Sequence, residues 1–544
     1  MPLGTVSHEE VMDSIFLCDL YIYQALRLPS QSCSSKEVRG CFCKDLGPRH
    51  HFQGKYRVVL RMLHKIYFAL LSCQAAWSMK GNPGVKVQVS QKGMEYATHT
   101  AIRFLEPMLT SLQIGDMHGK ANIKVDVDYE VTDIKITEFN ISDASVTFIP
   151  GIGIHMSIYN SHAKLSNKWK INSWVVKDKG SSILNLDGIC VDAVINITQT
   201  SNGLPSFAIT SCSSKVEDVK VKLIGGIEMF HGMMIEPIKK ISHEKINQKV
   251  CPIIKEEIEK WSKNLSMQQF RMNINENVGF DYTLVSNPVT TLDDFTMPLK
   301  GMFYAVKAPE ETPFAPESFS LPSLKDNMFC VGISESVFGS AAYSYFKSGY
   351  FTLSLDPFLS EGLATMNSTA LADIFPEVSN QHHQLTGILQ ATSAPLVTLK
   401  PDNLTLEIAF CAEIYAKLPN SVNKLLVKQN MIASISGNLS ISGQESSYTA
   451  LNITGTMALN RFQIIPADAT KQGQAKVNPS QISKMENSMK NLAEQGLLKM
   501  FNDQLRGGIS IPNMPYFPLI KPSFKTEQGF IKISGDVKLI PPKL

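Results

Sequence analysis

The sequence predicts an α+β chain built from two related domains, and three observations predict it. Several runs alternate apolar and polar residues with a period of two, the mark of antiparallel strands with one dry and one wet face. Other stretches space their apolar residues three and four apart, as one face of a helix requires. The order helix, strands, long helix, strands then recurs after a proline-rich segment, so the duplication rests on element order.

Taken along the chain, Gln91 to Leu112 sets Met94, Ala97, Ala101, Leu105, Met108 and Leu112 on one helical face, with Pro107 as a kink. The period then changes. Ile123, Val125, Val127, Tyr129 and Val131 alternate with Lys124, Asp126, Asp128, Glu130 and Thr132. Ile152, Ile154, Met156 and Ile158 repeat the pattern, as do Ile189, Val191, Ala193, Ile195 and Ile197. A long helix is expected over Ile227 to Leu265, punctuated by Pro237 and Pro252, with further strand sequence to Tyr304. Residues 307–326, KAPEETPFAPESFSLPSLKD, carry Pro309, Pro313, Pro316 and Pro322. That density suits a semi-rigid linker and forbids a helix or a central strand. Beyond it come a short helix over Glu335 to Phe346 and alternating runs at Phe351–Leu355, Leu404–Ile408, Ile432–Ile441 and Leu451–Leu459. An amphipathic helix over Gln481 to Leu505 places Ile482, Met485, Met489, Leu492, Leu498, Phe501 and Leu505 on one side.

Composition bounds the rest. A chain of 544 residues with 44% hydrophobic and 19% charged side chains is too apolar for disorder and too long for one ordinary core. Lys and Arg number 52 against 49 Asp and Glu, and residues 1–79 hold the whole excess, nine against six. Both large blocks are neutral. Nucleic acid is therefore not an expected partner, because polyanion affinity comes from many Lys/Arg–phosphate contacts.

In the N-terminal segment, Arg57, Arg61, His64 and Lys65 precede the apolar stretch Ile66–Leu71 and then Ser72, Ala75 and Ala76. A basic, apolar, small-residue succession is the grammar of a secretory signal, and the stretch is too short to span a bilayer. A buried core helix is the alternative reading. The expected organisation is an extension over 1–61, a signal over 62–79 starting at Met62, a first domain over 80–306, the linker over 307–326 and a second domain over 327–544. The product is then secreted and extracellular.

Cys18, Cys33, Cys41, Cys43 and Cys73 fall at or before the expected cleavage, leaving Cys190, Cys212, Cys251, Cys330 and Cys411. Five is odd, so at least one stays unpaired or pairs between molecules. The Cys33, Cys41, Cys43, His50, His51 group has no standard zinc spacing, and no metal is expected. Glycosylation sequons stand at Asn140, Asn196, Asn264, Asn367, Asn403, Asn438 and Asn452.

Three segments carry a resemblance: NPGVKVQVSQKGMEYA (82–97), FIPGIGIHMSIYNSHAKLSNKWK (148–170) and PFAPESFSLP (313–322). They resemble the family of bactericidal/permeability-increasing protein and lipopolysaccharide-binding protein, over about residues 82–542. The resemblance implies two similar barrels of highly twisted antiparallel sheet wrapped around long helices, joined by a central sheet into an elongated boomerang. It implies one disulfide, whose positions Cys212 and Cys251 match, 39 residues apart. It also implies an apolar pocket in each barrel, able to hold the acyl chains of a bound phospholipid, with no other cofactor. Strand faces rich in Ile, Val, Leu and Met suit such a lining, and each buried methylene contributes about 0.8 kcal/mol. Ordinary core packing would show the same composition.

A basic tip that meets anionic headgroups is the family's second trait. KLSNKWKINSWVVKDK (164–179) supplies Lys164, Lys168, Lys170, Lys177 and Lys179 against Asp178. In a hairpin, Lys168 and Lys170 are expected on one face and Lys177 and Lys179 on another, with Trp169 and Trp174 as aromatic anchors at a lipid surface. The plain reading is a solvated lysine face. Two departures weigh against strong endotoxin binding: Asn172 and Ser173 stand where the family has a basic pair, and residues 106–120 carry a single Lys, Lys120.

No G-x-S-x-G, H-E-x-x-H, P-loop or C-x-x-C occurs, Gly151 and Gly153 suit a turn, and His382 and His383 suit a polar loop, so no enzyme is expected. The expectation is a secreted, monomeric lipid-binding protein of innate immunity, antibacterial in role and peripheral at membranes. Its ligand is lipopolysaccharide or another anionic lipid. The alternative is a phospholipid or neutral-lipid transfer protein without antibacterial activity.

Overall fold

Periodicity in the sequence translates directly into strands and helices. The computed structural model describes residues 81–538 apart from 112, 123, 268–269, 308–311, 357–384, 418–422, 443–450, 466–482, 484–485, 488–489, 492 and 512–518. The expected extension, the signal segment and its cysteines, Asn367, His382 and His383 lie outside the described residues.

β1 (Val85–Ser90) leads into α1 (Gln91–Thr110), with Pro107 inside it. The Gly93 N–H donates to Ser90 Oγ at 3.1 Å, which caps the helix start. Then follow β2 (Gln113–Ile114), β3 (Met117–Asn122), β4 (Asp126–Asn140), β5 (Asp143–Ile149), β6 (Gly153–Asn172), β7 (Lys177–Gln199) and β8 (Pro205–Ile224). They make one antiparallel sheet in the order β2-β4-β6-β7-β8, with β3 on β4 and β5 on β6. Along β6 the alternation is complete over the second half: Ala163, Leu165, Asn167, Trp169 and Ile171 are buried, while Lys164, Lys168 and Lys170 are exposed. Two strand expectations shift. Lys124, with φ of 80°, and Val125 belong to the β3–β4 turn, and Ile152 sits exposed in the β5–β6 turn, because Gly151 and Gly153 take positive φ there.

α2 (Glu228–Ser266) is 39 residues long, about 58 Å at 1.5 Å per residue, and keeps Pro237 and Pro252 inside it. It lies on the inner face of this sheet, where Ile246, Val250 and Ile254 pack against Leu165, Leu184, Leu186, Val216 and Val219. After it come β9 (Arg271–Asn273), β10 (Val278–Asp281), β11 (Val289–Thr290), β12 (Asp294–Leu299) and β13 (Met302–Ala305). Strands β13, β10 and β9 form a small sheet in that order.

The second half opens with β14 (Phe329–Ser334) and α3 (Glu335–Lys347), capped where Ser334 accepts from the Ser336 N–H. β15 (Thr352–Ser354), β16 (Leu385–Ala391), β17 (Leu396–Lys400), β18 (Asn403–Lys417), β19 (Asn423–Ser442) and β20 (Leu451–Ile465) follow. A π-helical segment, Ala493–Leu498, runs into α4 (Lys499–Gly507), then β21 (Ile509–Ile511), β22 (Leu519–Glu527) and β23 (Phe530–Val537). The order β15-β16-β18-β19-β20-β21, with β17 on β18, is a second antiparallel sheet. Of the single apolar side expected over 481–505, Ile482, Met485, Met489 and Leu492 lie outside the described residues; Leu505 is buried, Leu498 half-buried and Phe501 36% exposed.

A third sheet, β11-β12-β1-β14-β23-β22, draws strands from both halves, and β1 pairs with β12 on one side and β14 on the other. Residues 312–328, read in sequence as part of a linker, have no helix or strand, yet they are packed onto this sheet. Phe319 stacks on Phe530 with ring centroids 4.9 Å apart, and Lys86 Nζ sits 4.9 Å above the same ring. Gly332 allows the approach, since a Cβ there would meet Phe319 at 2.5 Å and Leu321 at 2.7 Å. Among the described residues no helix is long and apolar enough to cross a membrane.

Candidate functional site: a cavity beneath a long helix and an exposed tip

Between α2 and the inner face of the first sheet lies an apolar cavity of about 100 Å³. One wall is the sheet, with Met117, Val127, Tyr129, Val131, Leu165, Trp169, Ile171 and Leu184; the other is the helix, with Met234, Pro237, Ile238, Ile241 and Ile246. At about 30 Å³ per water-sized group, that volume holds about three methylenes, a length of chain rather than a whole lipid. Inward positions on a period-two strand are apolar nearly throughout, which is why the lining is too. The exceptions are Asn167 and Ser182, adjacent across β6 and β7, with Ser182 Oγ donating to Asn167 Oδ1 at 2.7 Å. Lys245 stands exposed among the lining residues and has no carboxylate partner among the described residues.

The helix is attached to the sheet along one side. β8 is the edge strand, and its polar groups meet α2 at successive points. Ser262 Oγ accepts from the Phe207 N–H at 3.0 Å, and Cys212 is disulfide-bonded to Cys251. Asn247 Oδ1 accepts from the Val216 N–H at 3.0 Å, His243 Nε2 meets the Val216 carbonyl at 2.6 Å, and Lys239 pairs with Asp218 at 3.0 Å. A hydrogen bond from Lys239 is the main reason that the Asp218 carboxyl titrates below its ordinary range.

Three connections share the end of the sheet nearest Trp169: the β3–β4 turn, the β6–β7 turn and the β8–α2 junction. Large apolar side chains are exposed there. Trp174 is 92% exposed and Met229 77%, with Val175, Ile224 and Ile227 beside them. The Ile227 N–H donates to Asp178 Oδ2 at 2.9 Å, tying the junction to the hairpin.

The lysines fall differently from the expected arrangement. Lys170 is directly opposite Lys179, and Asn172 opposite Lys177, so Lys168, Lys170, Lys177 and Lys179 all share the outer face. Facing residues of an antiparallel pair point the same way, which the count of residues within each strand does not reveal. Lys168 pairs with Asp133 at 3.1 Å and Lys170 with Glu130 at 3.7 Å. Hydrogen bonds from Lys135 and Lys168 hold the Asp133 carboxyl below its usual range. Lys177 and Lys179 have no carboxylate partner among the described residues, and Lys164 lies exposed opposite Glu138. Trp169 is not an anchor at the surface. It is 6% exposed, lines the cavity, and donates from Nε1 to the Ser181 carbonyl at 2.9 Å. Gly180 makes room for it, since a Cβ there would meet the indole at 2.6 Å.

Of the sequon residues, Asn140, Asn264 and Asn438 are exposed, and Asn196, Asn403 and Asn452 are half-buried. Ser157, His155 and Asp192 gather on the outer face, but Ser157 Oγ donates directly to Asp192 at 2.5 Å. His155 Nε2 lies 3.3 Å from Ser157 Oγ and 3.5 Å from Asp192 Oδ1, so acid and serine meet the same ring nitrogen instead of opposite ones as an activated nucleophile needs. No sequence signal singled out Asn167, Ser182 or Lys245, because each is one polar residue in an otherwise regular pattern.

Comparison with known proteins gives two matched domains. The N-terminal domain of the LBP / BPI / CETP family matches residues 93–261 and its C-terminal domain matches residues 272–539. The chain is 26% identical over 478 residues to BPI fold-containing family C protein of Homo sapiens, covering 87% of this chain and 92% of that protein. It is 24% identical over 463 residues to phospholipid transfer protein of Mus musculus, covering 84% and 90%. Among solved structures, that of lipopolysaccharide binding protein superposes with a TM-score of 0.51 at 20% identity, covering 85% of this chain and 100% of that one.

Proposed function

The chain belongs to the LBP / BPI / CETP family, in which a phospholipid transfer protein and a lipopolysaccharide binding protein are among the relatives named above, and from that premise we propose a secreted lipid-binding protein that docks by its tip and takes an acyl chain beneath α2. The observation that carries the reading is the apolar cavity, whose lining includes the buried Val127, Trp169, Ile171 and Met234. Burying about three methylenes at about 0.8 kcal/mol each gives roughly 2.5 kcal/mol of gross driving force. Trp174, Val175 and Met229 are suited to enter the interfacial layer of a lipid surface, and Lys177 and Lys179 to meet anionic headgroups there. Lipopolysaccharide is the headgroup class that this reading favours, in an extracellular, antibacterial role of innate immunity. The basic, apolar and small-residue stretch over 57–76 supports export, and Asn140, Asn264 and Asn438 are the favoured glycan sites. The protein acts as a monomer and without catalysis.

A second reading, phospholipid transfer without antibacterial action, is favoured by the pairing of Lys168 and Lys170 with Asp133 and Glu130, which leaves few unpaired cations at the tip. Vesicle binding separates the two. Replacing Lys177 and Lys179 together by Gln is expected to weaken binding to anionic or lipopolysaccharide-containing vesicles about thirtyfold at low salt, at about 1 kcal/mol per lysine. The Lys168→Gln, Lys170→Gln pair should lose less. No effect of Lys177 and Lys179, with no dependence on salt, would transfer the reading to phospholipid exchange; no vesicle or acyl-chain binding at all would reject both.

A further inference from the structure

Asn167 breaks the apolar lining at its middle. The inward rungs on either side are Leu165 with Leu184 and Trp169 with Gly180. Asn167 itself is 8% exposed and lines the cavity, its Oδ1 occupied by the Ser182 hydroxyl. Its Nδ2 meets no acceptor among the described residues. An amide with its oxygen fixed by a neighbour has its N–H groups oriented, and a donor on the cavity wall that a guest strips of water is unfavourable unless that guest supplies an acceptor. Apolar surface continues in both directions along the strands for about 6–7 Å per rung. The guest must therefore be greasy on both sides of its acceptor.

We propose that Asn167, oriented by Ser182, is a specificity latch that selects an acyl lipid carrying an acceptor oxygen part way along the buried chain. The inference rests on the acyl-binding reading above and adds the ligand's oxygen to it. Two sources share that chemistry, a hydroxyl on the chain and an ester joining two apolar chains, and the probes below tell them apart.

The test compares stearate, 12-hydroxystearate and oleyl oleate by displacement of a fluorescent fatty acid, in the full chain and in Asn167→Leu. Ser182→Ala is the second variant, since it frees the amide to rotate without changing the cavity's size by more than one atom. The wild type is expected to bind at least one oxygen-bearing probe about fivefold tighter than the variants do, with stearate binding unchanged or improved in Asn167→Leu. Loss confined to 12-hydroxystearate assigns the chain hydroxyl; loss confined to oleyl oleate assigns the ester carbonyl. Equal affinities of wild type and variants for all three probes overturn the latch while leaving acyl binding intact. Failure of every probe to bind the wild type overturns both. Should Asn167→Leu fold poorly by circular dichroism, Ser182→Ala decides alone, with the same expected loss and the same overturning result.

Discussion

The two flanks of α2 follow opposite rules. On the β8 flank, polar contacts recur from Ser262 at Phe207, through the disulfide and Asn247 at Val216, to Lys239 at Asp218. Eleven strand steps of about 3.3 Å and twenty-three helix steps of about 1.5 Å cover nearly the same length, so helix and strand run side by side. On the other flank, toward β3, β4 and β6, the helix offers Met234, Ile238 and Ile241 to an apolar cavity. The difference comes from the backbone. An edge strand has unpaired N–H and C=O groups that need partners, whereas the centre of a sheet has none to satisfy. A helix so attached is held by polar contacts along one side and by apolar packing of Met234 and Ile238 on the other, the side on which the proposed acyl chain would lie.

Breaking the fixed side should have the largest effect. Replacing Cys212 and Cys251 together by Ala is expected to lower stability by about 3–4 kcal/mol, read by denaturant unfolding; a loss below 1 kcal/mol would mean that the seam holds without the bond. Asn247→Ala leaves the Val216 N–H without its acceptor and should cost about 1–3 kcal/mol in the same assay. On the cavity flank, Ile241→Trp fills space instead of removing a partner. It should weaken acyl-chain binding about tenfold, by excluding two or more methylenes, with a smaller change in stability. Equal loss of stability from the two single substitutions would erase the contrast between flanks.

Acid gives a finer test. Asp218 titrates lower in the folded protein than in the unfolded chain, so its contribution is present above the ordinary carboxylate range and is lost as pH falls through its depressed value. Hydrogen exchange at Val219 and in α2 near Lys239 should accelerate only in strong acid, while amides facing the cavity show no such step. The smallest effect is expected at the tip. Trp174→Ala should leave stability within about 0.5 kcal/mol, because the side chain is already in solvent, while reducing vesicle binding.

Much of this molecule was legible in its sequence. The alternation in β6 and β7, the span of α2 with both of its prolines, and the recurrence of strands after residue 328 all rest on local periodicity, which the backbone obeys directly. What escaped depends on pairing between segments. The shared face of Lys170 and Lys179 is set by the cross-strand register, not by spacing along either strand. Trp169 turned inward because its parity in β6 is that of Leu165 and Ile171, although its neighbours in sequence are lysines. Prolines in 312–328 predicted the missing secondary structure but not that Phe319 would pack on Phe530, since that contact joins distant positions. The cavity has no sequence signature at all. Its lining and an ordinary core use the same residues.

Trp169 reports on the cavity from within. In a chain whose Trp77, Trp174 and Trp261 are replaced by Phe, adding a brominated fatty acid should quench the remaining indole emission in step with binding, and unbrominated acid should reverse it. Saturable binding of the brominated acid that leaves Trp169 emission unchanged would show that the chain lodges elsewhere, and the account of α2 as the cover of an acyl site would be contradicted.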